Sequence, residues 1–288
     1  MVSLKIIRRR ISSVKSIQQV TKAMKLVAAA KLRRAQQNMQ QARPYATRLS
    51  DVLFGLLPHI DRQLLPLLEL RPEVRRSLVV VVTSDRGMAG GFNSNLVKLA
   101  ERRIIELGRD RVDLICIGRK GRDHFRHREY EILADHIDFW SELRFDHAMA
   151  FGREISHRFL TGDVDEVLVF FNQFKNVMVQ EQREQRLLPL ALEEGRPVDT
   201  SQVLFEPSMA AVVEGLVPRH LNVQIWRYLL ESYAAEQAAR MTAMDNATQN
   251  AMDVIEQLQM HYNKARQSAI TREILDIVGG AEALRTAA

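Results

Sequence analysis

The sequence predicts an α/β protein with long terminal helices: an antiparallel two-helix coiled coil formed by the N- and C-terminal segments, plus a central, mainly parallel α/β domain. Three observations predict it. Apolar residues step by three and four near both ends of the chain, β-branched runs bounded by turn residues fill the middle, and charge is split along the length. Residues 1–50 hold 12 Lys or Arg and no Asp or Glu, whereas the remainder nets −6, giving the +6 of the whole chain. The expected boundaries are 1–58 for the N-terminal helix, 59–76 for a linker, 77–206 for the α/β domain and 207–288 for the C-terminal helix.

The N-terminal helix rests on a heptad seam. Leu32, Ala35, Met39, Ala42, Ala46, Leu49, Leu53 and Leu56 alternate steps of three and four. Upstream, Leu4, Ile7, Ile11 and Val14 keep that step, but Ile17, Val20 and Met24 continue it at three, three and four, a slip that changes local winding. Pro44 is where a kink is expected. Pro58, Pro66 and Pro72 mark the linker.

Ser77–Thr83 (SLVVVVT) reads as a buried parallel strand, followed by the glycine-rich loop Ser84–Asn95 and a helix to Leu107. Val112–Ile117 is a second strand and Val164–Phe171 a third, after a helix from about Ser141 to Leu160. Val177–Leu190 alternates loosely, as a longer antiparallel pair would. At the far end Met241, Met244, Thr248, Ala251, Ile255, Leu258, Tyr262, Ala265 and Ala269 form a seam of four heptads. Neither Gly nor Pro interrupts the chain between Pro218 and Gly279, which permits a helix of about 60 residues, roughly 90 Å long.

Several function classes are excluded. The longest uncharged apolar run, Ser77–Ser84, is far short of the roughly 20 residues a membrane-crossing helix needs. The single cysteine, Cys116, lies in an apolar strand and reads as a core residue in a reducing compartment. The loop Asp85–Phe92 lacks both the Gly-x-x-x-x-Gly-Lys spacing of a phosphate loop and the Gly-x-Gly-x-x-Gly of a dinucleotide turn, so its glycines read as turn geometry. His124 and His127 have no neighbouring carboxylate pattern for a metal. No catalytic constellation, cofactor site or metal site is expected.

The residues carry a resemblance over essentially the whole chain. Ile6–Ile11 with Val14–Lys25, Ala30–Ala35 before Ala42–Tyr45, Thr83–Gly87 with Gly90–Asn93, Glu236–Met241 with Ala243, Met244, Ala247 and Thr248, and Tyr262–Gln267 with Ile270 and Thr271 stand in the order and nearly the length of one family. The chain resembles the gamma subunit of the rotary F-type ATP synthase, the central stalk.

The resemblance implies a rotor shaft that couples ion translocation to ATP synthesis or hydrolysis without catalytic residues of its own. The terminal helices would fill the bore of a hexamer of alternating alpha and beta subunits, with a charged, smooth exterior. The epsilon subunit and a membrane ring of c subunits would be further partners, without direct membrane insertion. Met24 matches the family position facing the acidic lever loop of a beta subunit, with Arg8, Arg9, Lys22 and Lys25 as electrostatic contacts. Arg240, Gln267 and Thr271 match coupling positions on the C-terminal helix. Phe205 and Glu206 match the region near the ring and epsilon subunit, although Val203 stands where an aromatic is often seen. The paired cysteines of light-regulated plastid relatives are lacking, and the helix opens directly after Met1, so a bacterial form at the cytoplasmic face of the inner membrane is expected.

The alternative is a nucleic-acid-binding coiled-coil protein that uses the basic N-terminal helix on phosphates. Against it, Tyr45 is the one aromatic before Ser50, and the C-terminal heptads already require a partner helix.

Overall fold

A computed structural model describes residues 4–60, 65–190, 205–206 and 208–286. The chain forms two compact units: Met1–Val27 with Ala243–Ala288, and Ala28–Thr242. Among the described residues there are five longer helices, α1 (Leu4–Leu56), α2 (Phe92–Leu107), α3 (Arg119–His127), α4 (Phe145–Leu160) and α5 (Met209–Thr286), and five strands, β1 (Ser77–Val82), β2 (Val112–Ile117), β3 (Ala134–His136), β4 (Glu166–Phe174) and β5 (Gln180–Leu188).

In the unit 28–242 the strands form one sheet in the order β3-β2-β1-β4-β5. The first four are mutually parallel and β5 runs antiparallel to β4. Every residue of β1 is buried, because helices cover both faces. The pleat sends Leu78, Val80 and Val82 into one core with Phe151, Ile155 and Phe159 of α4 and Val217, Leu221, Ile225 and Tyr228 of α5. Val79 and Val81 point the other way, onto Leu96, Ala100 and Ile104 of α2 and Phe125 of α3. Fully burying each Val, Leu or Phe contributes about 1.5–3 kcal/mol, and these two layers hold the unit together.

The structure matches the expected long helices and refines the elements between them. α5 runs from Met209 to Thr286, close to the expected 207–288, and passes through Pro218 and Gly279. Ser208 caps it, its Oγ accepting the Ala211 N–H at 3.2 Å. α1 likewise continues through Pro44. Both prolines are exposed, so the carbonyl each leaves unpaired, that of Gln40 or Glu214, lies on a solvent-facing side where water serves it. The Val177–Leu190 segment contributes one strand, β5, that pairs with β4, and only its Leu187 and Leu188 are buried within that strand. The short edge strand β3 and the late start of α4, after a 3-10 turn at Trp140–Glu142, are additions.

The sheet's carboxyl end is knit tightly. Gly118 sits at φ +97°, and a Cβ there would lie 2.1 Å from the Thr83 carbonyl oxygen. Gly118→Ala must therefore force β1 and β2 apart as well as adopt a disfavoured φ. The expected cost is about 2 kcal/mol or more, read by urea unfolding.

A buried carboxyl gives a second expectation. Glu231 on α5 is buried, its Oε2 has no hydrogen-bond partner, and its nearest cation, the half-exposed Arg227, is 3.8 Å away. Burial raises its pKa, with Arg227 and Lys175 pulling it back. A raised folded-state pKa means stability fully present below the unfolded pKa and lost as pH rises through the folded one. Glu231→Gln should therefore melt higher than the parent at pH 8, with the gap closing near about pH 4. Comparing the two chains at each pH cancels His220, whose burial lowers its pKa to about 4 and acts with the opposite sign.

Candidate functional site

In the unit of Met1–Val27 with Ala243–Ala288, α1 and α5 pair antiparallel. Arg8 Nη2 donates to the Tyr262 hydroxyl at 3.0 Å, Thr21 Oγ1 lies 2.8 Å from Thr248 Oγ1, and Lys25 Nζ meets Asp245 Oδ1 at 2.6 Å. Met244, Ala251 and Ile255 are buried in this seam. Small residues and threonines narrow the pair; one threonine hydroxyl donates across it, and the other keeps its single proton for its own helix, where Thr21 reaches the Gln18 carbonyl at 3.0 Å and Thr248 that of Met244 at 2.7 Å.

The winding slip expected at Ile17 and Val20 does not occur. Leu4, Ile7, Ile11, Val14, Gln18, Thr21, Lys25, Ala28, Leu32 and Ala35 are all buried or half-buried and alternate steps of three and four, with Met24, Ala29 and Gln36 half-buried beside them. Two polar residues, Gln18 and Thr21, take seam places, while Ile17 and Val20 are 55% and 58% exposed. The charged exterior also carries apolar residues. Ile6, Ile17, Val20, Leu26 and Val27 are exposed apolar residues among the cations. On α5 every residue from 266 to 279 is exposed, including Ile270, Ile274, Leu275, Ile277 and Val278.

Seven of the residues singled out from the sequence lie in this unit. Arg8 is engaged with Tyr262 and Lys25 with Asp245, while Arg9 and Lys22 are exposed. Met24 is half-buried beside the seam. Gln267 and Thr271 are both exposed, one turn apart, and the Thr271 hydroxyl donates to the Gln267 carbonyl at 3.0 Å.

The other three lie in the unit 28–242. Arg240 points inward: its side chain is 11% exposed and bound to Glu236 Oε1 at 2.6 Å, and it donates to the Gly87 carbonyl at 3.3 Å. Phe205 packs on the main core, whereas Glu206 is exposed. Val203 lies outside the described residues. Glu236 and Gly87 stand in the blocks that carry the resemblance but were assigned no contact, though the i, i+4 spacing of Glu236 and Arg240 was a visible signal.

Chemically, the carboxyl end of the sheet is filled by the chain itself. The backbone N–H groups that open α3 are already taken: Arg119 donates to Asp85 Oδ1 at 2.9 Å, Lys120 to the Ser84 carbonyl at 3.0 Å, and Gly121 to Thr83 Oγ1 at 2.8 Å. These are the donors a phosphate would use at a helix N-terminus. Burial pushes the Cys116 thiol up to about 12, so it stays protonated and unreactive. His124 sits 3.4 Å from Glu101, whose carboxylate also binds Arg128, as a surface network. Among the described residues no group of three or more His, Cys, Asp or Glu could hold a metal ion, and no helix is long and apolar enough to cross a membrane.

A family profile described as ATP synthase matches residues 3–284. A protein of Chlorobaculum parvum named ATP synthase gamma chain is 50% identical over 291 residues, covering 99% of this chain and 100% of its own. This chain belongs to the ATP synthase gamma-chain family. The gamma chain of Prosthecochloris aestuarii is 49% identical over 290 residues, covering 99% of both chains. The fold is shared with solved structures of low identity. A chain from the Euglena gracilis mitochondrial ATP synthase, solved with OSCP, F1 and c-ring, matches with TM-score 0.68 at 19% identity over 98% of this chain and 94% of its own. One from the Tetrahymena thermophila mitochondrial ATP synthase central stalk and c-ring matches with TM-score 0.62 at 23% identity, over 79% and 99%. The chain is thus a component of a membrane-associated ATP synthase complex, and nothing in these relatives favours the nucleic-acid reading.

The seam register is directly testable. Thr21→Cys combined with Thr248→Cys should form a disulfide under mild oxidation, raising the stability of the helix pair by about 2–4 kcal/mol. Val20→Cys with Thr248→Cys should not cross-link, and Cys116, being buried, will not compete. Gel mobility with and without reductant distinguishes the two.

Proposed function

We propose that this chain is the central rotor shaft of the F-type ATP synthase. It transmits torque between a membrane ring of c subunits and a catalytic hexamer of alpha and beta subunits, coupling ion translocation to ATP synthesis or hydrolysis. The observation that carries the reading is the unit of Met1–Val27 with Ala243–Ala288: two bare helices with an exposed apolar end, Ile270 to Val278. A monomer rarely leaves contiguous apolar surface open to water, whereas a shaft enclosed by partner subunits has it covered.

Local roles follow from that reading. Met24, with Arg9 and Lys22 free for contact, faces the acidic lever loop of a beta subunit, and Arg8 and Lys25 contribute there while also bracing the pair. Gln267 and Thr271 belong to the enclosed end of α5. Glu206 is the free side chain at the contact with the ring and epsilon subunit, and Phe205 anchors it to the core. The chain supplies no catalytic group, consistent with a carboxyl end of the sheet whose amides are internally satisfied. Its place is the cytoplasmic face of a bacterial inner membrane, held by the complex rather than by insertion.

A tagged copy purified from its native membranes should bring down alpha and beta subunits with ATPase activity; recovery without them overturns the reading. Within that complex Met24→Lys adds a third positive charge beside Lys22 and Lys25, and should reduce ATP-driven ion pumping several-fold relative to hydrolysis. Unchanged pumping would remove Met24 from the contact.

A further inference from the structure

The turn between β1 and α2 is fastened unevenly. On its strand side, Ser84 N–H donates to Asn93 Oδ1 at 3.0 Å and Ser84 Oγ to the Arg86 carbonyl at 2.7 Å. Asp85 accepts from the backbone of Arg119 and of Asp138, at 2.9 and 2.8 Å. On its helix side, Ala89 and Phe92 pack on Ala235 of α5. Between these anchors lies an exposed tip, Arg86 to Met88. Among the described residues the Gly87 backbone has one hydrogen bond, from Arg240. Met88 is 62% exposed and held at φ +61°, a conformation that a long side chain adopts only when its surroundings impose it.

Arg240 can impose it because its own position is fixed. Its Nη2 serves both the Gly87 carbonyl and Glu236 Oε1, and its Nη1 reaches Gln237 Oε1 at 3.4 Å. The Glu236 side chain is 7% exposed, so each charge of the pair depends on the other for compensation. With the guanidinium turned inward, whatever Arg240 contributes to contacts with neighbouring subunits passes through the turn it holds.

We propose that Glu236 is a positioning residue of the rotor: by pinning the Arg240 guanidinium against the Gly87 carbonyl, it sets the exposed Arg86–Met88 tip in the geometry that the surrounding subunits meet. The functional half of this statement rests on the rotor reading; the clamp itself does not.

Two variants separate positioning from mere stability. Glu236→Gln keeps an acceptor but removes the charge. Glu236→Arg combined with Arg240→Glu keeps a buried ion pair yet leaves no donor for the Gly87 carbonyl. In the full chain, amide hydrogen exchange of residues 84–91 should rise at least tenfold in both, with β1 and α4 unchanged. In the assembled complex, ions pumped per ATP hydrolysed should fall several-fold while subunit composition stays that of the parent. Unchanged exchange in Glu236→Gln overturns the clamp, as does a charge-swapped pair that restores both protection and pumping. Faster exchange with undiminished pumping overturns the positioning role. If the parent chain itself assembles no ATPase, the rotor reading has failed instead, and the exchange data still decide the clamp.

Discussion

One helix has to bury itself against different partners along its length, and the rest of the structure follows from that requirement. α5 gives the sheet a broad apolar face from Val213 to Leu229. At Ala234, Ala235 and Ala238 the face shrinks: Ala234 and Ala238 meet Leu32 and Ala35 of α1, while Ala235 meets Ala89 and Phe92 of the turn. Only small side chains let two elements approach adjacent sides of one helix, because close packing leaves no room for an added methylene. Over the same stretch α5 is covered nearly all round, which puts Glu231, Ser232, Glu236 and Gln237 out of water. Ser232 accepts from the Asn172 backbone and Glu236 holds Arg240; Glu231 keeps one oxygen unpaired.

How much of this could be read from the sequence depended on whether hydrophobicity and position agreed. They agreed along Leu32–Leu56, where all eight seam residues are buried or half-buried, and in β1 and β2, whose apolar runs fill the sheet. They disagreed at Ile17 and Val20, apolar but outward, and at Gln18 and Thr21, polar but in the seam; a count of apolar steps then reports a slip that the burial pattern does not show. β5 was blurred for a related reason. It is an edge strand of charged residues whose identity comes from its pairing with β4. α5 runs through Pro218 and Gly279 because both stand on exposed faces, where the cost of a broken backbone bond or added freedom is small enough for a long helix to absorb.

The candidate contacts divide along the same line. Residue type and order were enough to mark Met24, Gln267 and Thr271, which do present themselves to solvent or half to it. Arg240 could be marked but not oriented, since a linear pattern does not say that its guanidinium turns toward a turn some 150 residues earlier. The sheet teaches a related lesson about fold and function. A parallel α/β sheet usually offers its carboxyl edge to a ligand, yet here Asp85, Thr83 and Ser84 occupy the amides that would bind one. The architecture is that of a binding fold with its customary crevice sealed by protein, so function has to be sought on the surfaces of the helices.

The uncovered end of α5 also bears on how the cell must make this chain. Ile270, Ile274, Leu275, Ile277 and Val278 are all exposed in the chain by itself. On the rotor reading, a newly made copy waits in a state that chaperones and proteases read as unfinished, and its lifetime is set by the supply of the chains that enclose it. Production in step with those chains is accordingly a requirement written into the last turns of one helix.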